Sequence, residues 1–218
     1  NGGTTTRIRV QARKVRVMEE FFSDRLFTAL ERNEPTAGMV LVAAPGMLSD
    51  EFARSVVLIV EHNNQLTFGV NLASRSDVAV FNVMPEWVPY VAKPQALYIG
   101  GPLNQQSVVG LGVTKPGVTI ENHKQFQRLA NRIVHVDLRI DPSELEDLVE
   151  GIRLFAGYAE WGPGQLESEI ERGDWYVAPA LVSDIIAGGS VDVWGDVMRR
   201  QPMPLPLFST FPADISDN

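Results

Sequence analysis

The sequence predicts a single α+β domain built on a mostly antiparallel sheet. Three observations predict it. Short apolar runs recur between glycine, proline and polar turn residues, which is how strands are punctuated. Two of them, RSVVLIVEH (54 to 62) and TFGVNLAS (67 to 74), are joined by so short a polar link that a hairpin is the simplest connection. Between and around them lie segments with the three- and four-residue period of amphipathic helices.

From Glu19 to Arg32, Phe22, Leu26, Ala29 and Leu30 mark the first helix, which Pro35 ends. MVLVAAP (39 to 45) reads as a buried strand. In the hairpin, pairing His62 with Leu66 puts Val56, Leu58, Val60, Phe68, Val70 and Leu72 on one face and sets Asn71 opposite Val57 on the other. An amide on a covered face must find hydrogen bonds, and the following loop, Ser74 to Asp77, is expected to supply them or a ligand pocket. QALYIGGP (95 to 102) reads as a strand ending in a Gly-Gly-Pro turn, VVGLGVTKPG (108 to 117) as another, and IVHVDLRI (133 to 140) as a third. Asp141-Pro142-Ser143-Glu144 then opens an expected helix whose stripe is Leu145, Leu148, Val149, Ile152, Phe155 and Ala156, with Gly157 as its stop. Gly162-Pro163-Gly164 breaks the chain, and GQLESEIER starts a shorter helix that Gly173 ends. In it Leu166 and Ile170 face the core, Glu167 and Glu171 share an outer face, and Glu169 projects elsewhere. Trp161 and Trp175 bracket this helix and fix it to the sheet, the alternative being a stacking platform for a ring.

Composition narrows the chemistry. The chain has 218 residues, 44% of them hydrophobic, and a net charge of −8. It holds no cysteine, which removes disulfides, Cys-ligated zinc and thiolate nucleophiles. No apolar run approaches the ~20 residues of a membrane helix, and no signal-peptide core is visible, so a cytoplasmic location without membrane contact is expected. Five of the 19 basic residues lie in the first seventeen positions, which hold no acid, leaving 14 against 27 acidic residues in the remainder. The expected division is a basic arm over 1–18, read as a mobile tail, a domain over 19–200 and a proline-rich strap over 201–218, with Phe208 and Phe211 packed on the domain. DNA contact would have to come from the arm, because an acidic body opposes a sequence-independent grip on phosphates.

No serine nucleophile elbow, Walker loop or HExxH is present, and His62, His123 and His135 are far apart in sequence. No catalytic residue and no cofactor is assigned. Glu167 and Glu171 are weak metal candidates, outweighed by a solvated acidic face. Asn71 with Arg75, and the turn Gly100-Gly101-Pro102, are the polar and backbone features able to meet a ligand.

With these residues assembled, the chain resembles the AlgH/YqgE family of bacterial proteins. The resemblance rests on GMVLVAAP, FARSVVLIVEH, FGVNL, YIGGPL and FAGYAEWGPGQLESEIERGDWYV, in that order across residues 38 to 178. Glu160 departs from the small residue that the family commonly has before tryptophan. The resemblance implies a branched, partly barrel-like sheet surrounded by helices. It also implies ligand-binding candidates at the family's recurrent positions, here Asn71, Gly100, Gly101, Pro102, Trp161 and Gln165, to which the residues themselves add Arg75. It brings no catalytic residues, and members are linked by name to transcriptional control. The resulting expectation is a regulatory or interaction protein that binds a protein or small effector, leaning away from an enzyme. The alternative is a nucleotide- or metal-binding hydrolase.

Overall fold

A computed structural model describes residues 33–47 and 49–210. The expected helix over 19 to 32, the basic arm and Phe211 lie outside the described residues. Ten strands form one sheet: eight follow the order β10-β1-β2-β3-β9-β6-β8-β7, and the remaining two, β4 and β5, join it through β9. The sheet is mostly antiparallel and curls into a half-barrel.

β1 (Met39–Ala43), β2 (Val56–His62) and β3 (Thr67–Asn71) form an antiparallel meander. The five residues Val56 to Val60 are all buried, so β2 is covered on both faces. As expected, Val57 pairs with Asn71, but His62 pairs with Thr67 rather than Leu66. A bulge at Val60, between Ile59 and Glu61, absorbs the one-residue difference.

The loop expected after Asn71 is instead β4 (Arg75–Ala79), an edge strand paired with β5 (Ala96–Ile99). It runs into α1 (Val80–Val83). β6 (Leu103–Thr114) begins five residues before the run VVGLGV, and β7 (Phe126–Ala130), which sequence periodicity did not show, pairs with β8 (Ile133–Val136).

The largest correction concerns residues 141 to 157. The cap at Asp141 is real, its side chain accepting from the Ser143 amide at 2.9 Å, but it starts only a 3-10 turn, Pro142–Leu145. The expected helix is then replaced by β9 (Val149–Trp161), a 13-residue strand. The apolar spacing that mimics a helical stripe is part of a longer run in which Gly151 to Gly157 are all buried, Arg153 included. A helix would expose one side of that run, and Gly151 and Gly157 would weaken it, whereas a central strand covers both faces. Val, Ile, Phe and Tyr favour the same outcome.

β9 therefore organises the molecule. It pairs antiparallel with β6 along most of its length, antiparallel with β3 at Ala159 to Trp161, and parallel with β5 at Phe155 and Ala156. Phe155, Ala159 and Trp161 enter one core with Leu41, Leu58 and Val177. Val149, Ile152, Leu154 and Ala156 enter a second core with Trp87, Phe126 and Val136.

The helix after Gly162-Pro163-Gly164 forms as expected: α2 (Gln165–Arg172) buries Leu166, packs Ile170 on the first core and ends at Gly173. β10 (Trp175–Pro179) pairs with β1. α3 (Val182–Ile185) and α4 (Val193–Arg199) follow, and Trp194 of α4 is buried, donating to the Ala43 carbonyl at 2.9 Å. In the proline-rich segment, Leu205 is fully buried and Phe208 packs against the first core. The helices are few and short, so they flank the sheet rather than surround it. No described helix is long and apolar enough to cross a membrane.

Candidate functional site

Asn71, Gly100 and Gly101 meet where the sheet branches. The Asn71 amide N–H donates to the Gly100 carbonyl at 2.7 Å, and the Gly100 N–H donates to the Ala156 carbonyl at 2.8 Å. The Asn71 side chain donates from Nδ2 to Ser55 Oγ at 3.2 Å and accepts at Oδ1 from the Ala73 amide at 3.0 Å. Its partners are thus Ser55 and Ala73, not the segment from Ser74 to Asp77. Both ends of the buried amide are satisfied, which removes the cost of burying it.

The glycines have a spatial reason. A Cβ on Gly101 would lie 2.1 Å from the carbonyl carbon of Tyr158, and one on Gly100 would lie 2.3 Å from the Gly157 carbonyl oxygen. Gly157 itself has φ +73, a left-handed residue inside β9 that lies between the part of the strand paired with β5 and the part paired with β3. Pro102 stands at the exposed exit of this crossing.

Trp161 and Gln165 belong to a different cluster, whose centre is Glu169. Glu169 Oε2 accepts from Trp161 Nε1 at 2.8 Å and from Trp175 Nε1 at 2.9 Å. Its Oε1 accepts from Gln165 Nε2 at 3.1 Å, and Gln165 Oε1 in turn accepts from the Gly162 amide. The two indoles are edge to face, with centroids 5.9 Å apart. One carboxylate thus ties α2 to the ends of β9 and β10. This is where the projection of Glu169 away from Glu167 and Glu171 leads. Glu167 and Glu171 are exposed, and Glu167 Oε1 lies 3.5 Å from His62 Nε2. Among the described residues no group of three or more His, Asp and Glu is placed to hold a metal ion.

Arg75 stands apart from both clusters. It is exposed on β4, directly opposite Tyr98, with its Nη1 beside Gly189 in the loop between α3 and α4. Below Tyr98 lies the residue that the sequence reading missed: Arg153, 2% exposed. Burial lowers its pKa from the ordinary arginine value, yet a guanidinium remains charged. The signal was a lone arginine inside the apolar run IRLFAGYA, hidden by the reading of this segment as a helix.

A groove of about 480 Å³ lies elsewhere, along β7 and β8, lined by Lys124, Phe126, His135 and Leu138 among others. Burial lowers the His135 pKa from 6.5, against an opposing pull from Asp137. Asp137 is itself held at about 2 by hydrogen bonds from Arg139. For His135 the sign is fixed: the unfolded chain takes up the imidazole proton more readily than the native one. Its contribution is complete above pH ~6.5 and is lost as pH falls through the lowered native value. Melting temperature should therefore decline between pH 7 and 5 less steeply in His135→Gln than in the parent. Parallel profiles would contradict the burial of this imidazole.

The fold and these clusters define a class: an α+β domain whose branched sheet turns on a glycine crossing, with a tryptophan-carboxylate clamp at one end. The pattern of the AlgH-like family, DUF179, matches residues 40–206. The chain belongs to that family. It is 70% identical over 201 residues to a UPF0301 protein of Corynebacterium efficiens, covering 92% of this chain and all of the relative. It is 47% identical over 182 residues to a UPF0301 protein of Mycobacterium tuberculosis, covering 84% of this chain and 90% of that one. A crystal structure of a Corynebacterium diphtheriae protein superposes with a TM-score of 0.84 at 73% identity, covering 87% of this chain and 100% of that one. The solution structure of the AlgH protein from Pseudomonas aeruginosa shares the fold, with a TM-score of 0.59 at 21% identity over 84% of this chain and 98% of that one.

Proposed function

We propose that this protein is a regulatory or interaction protein without catalytic activity, acting in the cytoplasm, which meets a partner protein or small effector on the face that carries β4. By its likeness to the family, the process it serves is control of transcription. The observation that carries this reading is the edge of β4. Among the described residues β4 pairs on one side only, and the segment running from it exposes Val78, Phe81 and Val83, with Phe81 68% exposed. An unpaired strand edge with exposed apolar side chains is a template for association. Arg75, on the same strand, adds a charged group of the kind enriched at binding hot spots. No specific observation favours a nucleotide- or metal-binding hydrolase.

The test is affinity co-purification of the full chain from a native lysate. A specific partner should be recovered, and Phe81→Asp or Arg75→Ala should lower its recovery by about tenfold or more while leaving the melting temperature unchanged. Undiminished recovery with both variants would sink the reading.

A further inference from the structure

Among the described residues Arg153 is a cation without an anion. Its Nη1 donates to Tyr98 Oη at 3.2 Å and the Ala187 carbonyl at 2.8 Å, and its Nη2 to the carbonyls of Ala92 at 3.4 Å and Lys93 at 3.1 Å. The guanidinium carbon lies 4.5 Å from the centre of the Tyr98 ring. All these acceptors are neutral, and Nε is buried with no partner. Among the described residues no carboxylate oxygen lies within 4.0 Å of the Arg153 or Arg75 guanidinium. Carbonyl dipoles and a ring face offset only part of the cost of desolvating a full charge. They leave the site electropositive.

A second guanidinium stands on the same side. Arg75 and Tyr98 are directly paired across β4 and β5, so their side chains leave the sheet on one face. Arg75 Nη1 reaches the loop after α3, where a Cβ on Gly189 would lie 2.9 Å from it. Arg153 holds that same loop from beneath, through Ala187. In the loop that both arginines reach, the residues Gly188, Gly189 and Ser190 are exposed, and their amides donate to nothing among the described residues. One small region of an acidic chain thus collects an exposed guanidinium, three available N–H groups and a buried positive charge, all of which call for an acceptor.

We infer that Arg75 and the amides of Gly188, Gly189 and Ser190 bind an oxyanion, the phosphate or carboxylate group of a small effector, with Arg153 as the fixed charge behind it. This rests on the reading of the β4 face as an interaction surface and names the chemistry of its effector. Arg153 is here a positioning residue, since it reaches the anion only through the loop and Tyr98. A side chain at Gly189 would crowd the end of Arg75 and the ring of Pro94.

The test is a proton-nitrogen NMR titration of the full chain with inorganic phosphate and, separately, with succinate, at constant ionic strength set with chloride. Saturable shifts at Gly188, Gly189 and Ser190 are expected, and the tighter of the two ligands identifies the group. Arg75→Gln should weaken that binding at least about tenfold, as expected for loss of a charged donor. Gly189→Ala should weaken it several-fold with Arg75 still present. Absence of saturable shifts with both anions, or shifts that Arg75→Gln leaves unchanged, would overturn the inference. The two readings fail separately: loss of the partner in Phe81→Asp with no anion titration leaves only the interaction surface standing, and anion binding without a Phe81-dependent partner leaves only the oxyanion site.

Discussion

Gly101→Ala is expected to abolish folding. The added methyl carbon would lie 2.1 Å from the Tyr158 carbonyl carbon, 2.2 Å from its oxygen and 2.5 Å from the Ala159 nitrogen. These are main-chain atoms of β9, hydrogen-bonded on both sides, so no side-chain rotation can relieve the overlap. The methyl fits only if two strands separate. A loss of more than about 4 kcal/mol is expected, in the range reserved for disrupted cores, and the variant should give aggregated protein or a collapsed near-ultraviolet dichroism spectrum. Gly117→Ala is the control. Gly117 has φ +86 and nothing within 4 Å of its added carbon, so it bears only a torsional cost of about 1–2 kcal/mol. A folded Gly101→Ala that melts near the parent would contradict the close strand crossing.

Glu169→Ala should lower the melting temperature by about 10 °C. Two indole N–H groups, on tryptophans 3% and 2% exposed, would lose one shared charged acceptor. Each buried donor left unsatisfied costs about 1–3 kcal/mol, and about 2–4 °C accompanies each kcal/mol in a chain of this size. Glu169→Gln should recover much of the loss, because its amide oxygen can still accept from both indoles. Thermal unfolding followed by tryptophan fluorescence checks both variants. If Glu169→Ala melts within about 2 °C of the parent, the carboxylate does not hold the clamp.

What could be read from the sequence follows a physical division. β1, β2, β3 and α2 were legible because each carries its own boundary: turn residues at both ends, and a run too short or a period too clear for another structure. β2 and β3 were paired correctly at Val57 and Asn71 and missed by one residue at His62, since a bulge is a property of two strands together. β9 was misread because its local signals were helical. The cap at Asp141 and the spacing of Leu145, Leu148 and Ile152 are real, and burial on both faces by distant strands overrides them. Arg153 and the hub role of Glu169 followed the same fate: a charge inside an apolar run has meaning only once its neighbours from residues 92 to 98 and 187 are known. Of the candidate residues, the structure brings Asn71 to Gly100 and Gly101, and Trp161 to Gln165, and leaves Arg75 beside a loop more than a hundred residues away in sequence. No spacing in the chain could announce that last juxtaposition.

β9 belongs to two cores at once, sending alternate side chains into each. Neither core can open while the other stays shut, since the partition between them is the shared sheet: β5, β7 and β8 also supply both, through Tyr98 and Leu97, Leu129 and Phe126, and Ile133 and Val134. The molecule therefore behaves as a single unit under load, with no half that survives alone. Any motion it uses in answering a ligand must be sought at the rim, in β4 and the loop facing it, where the partition does not reach.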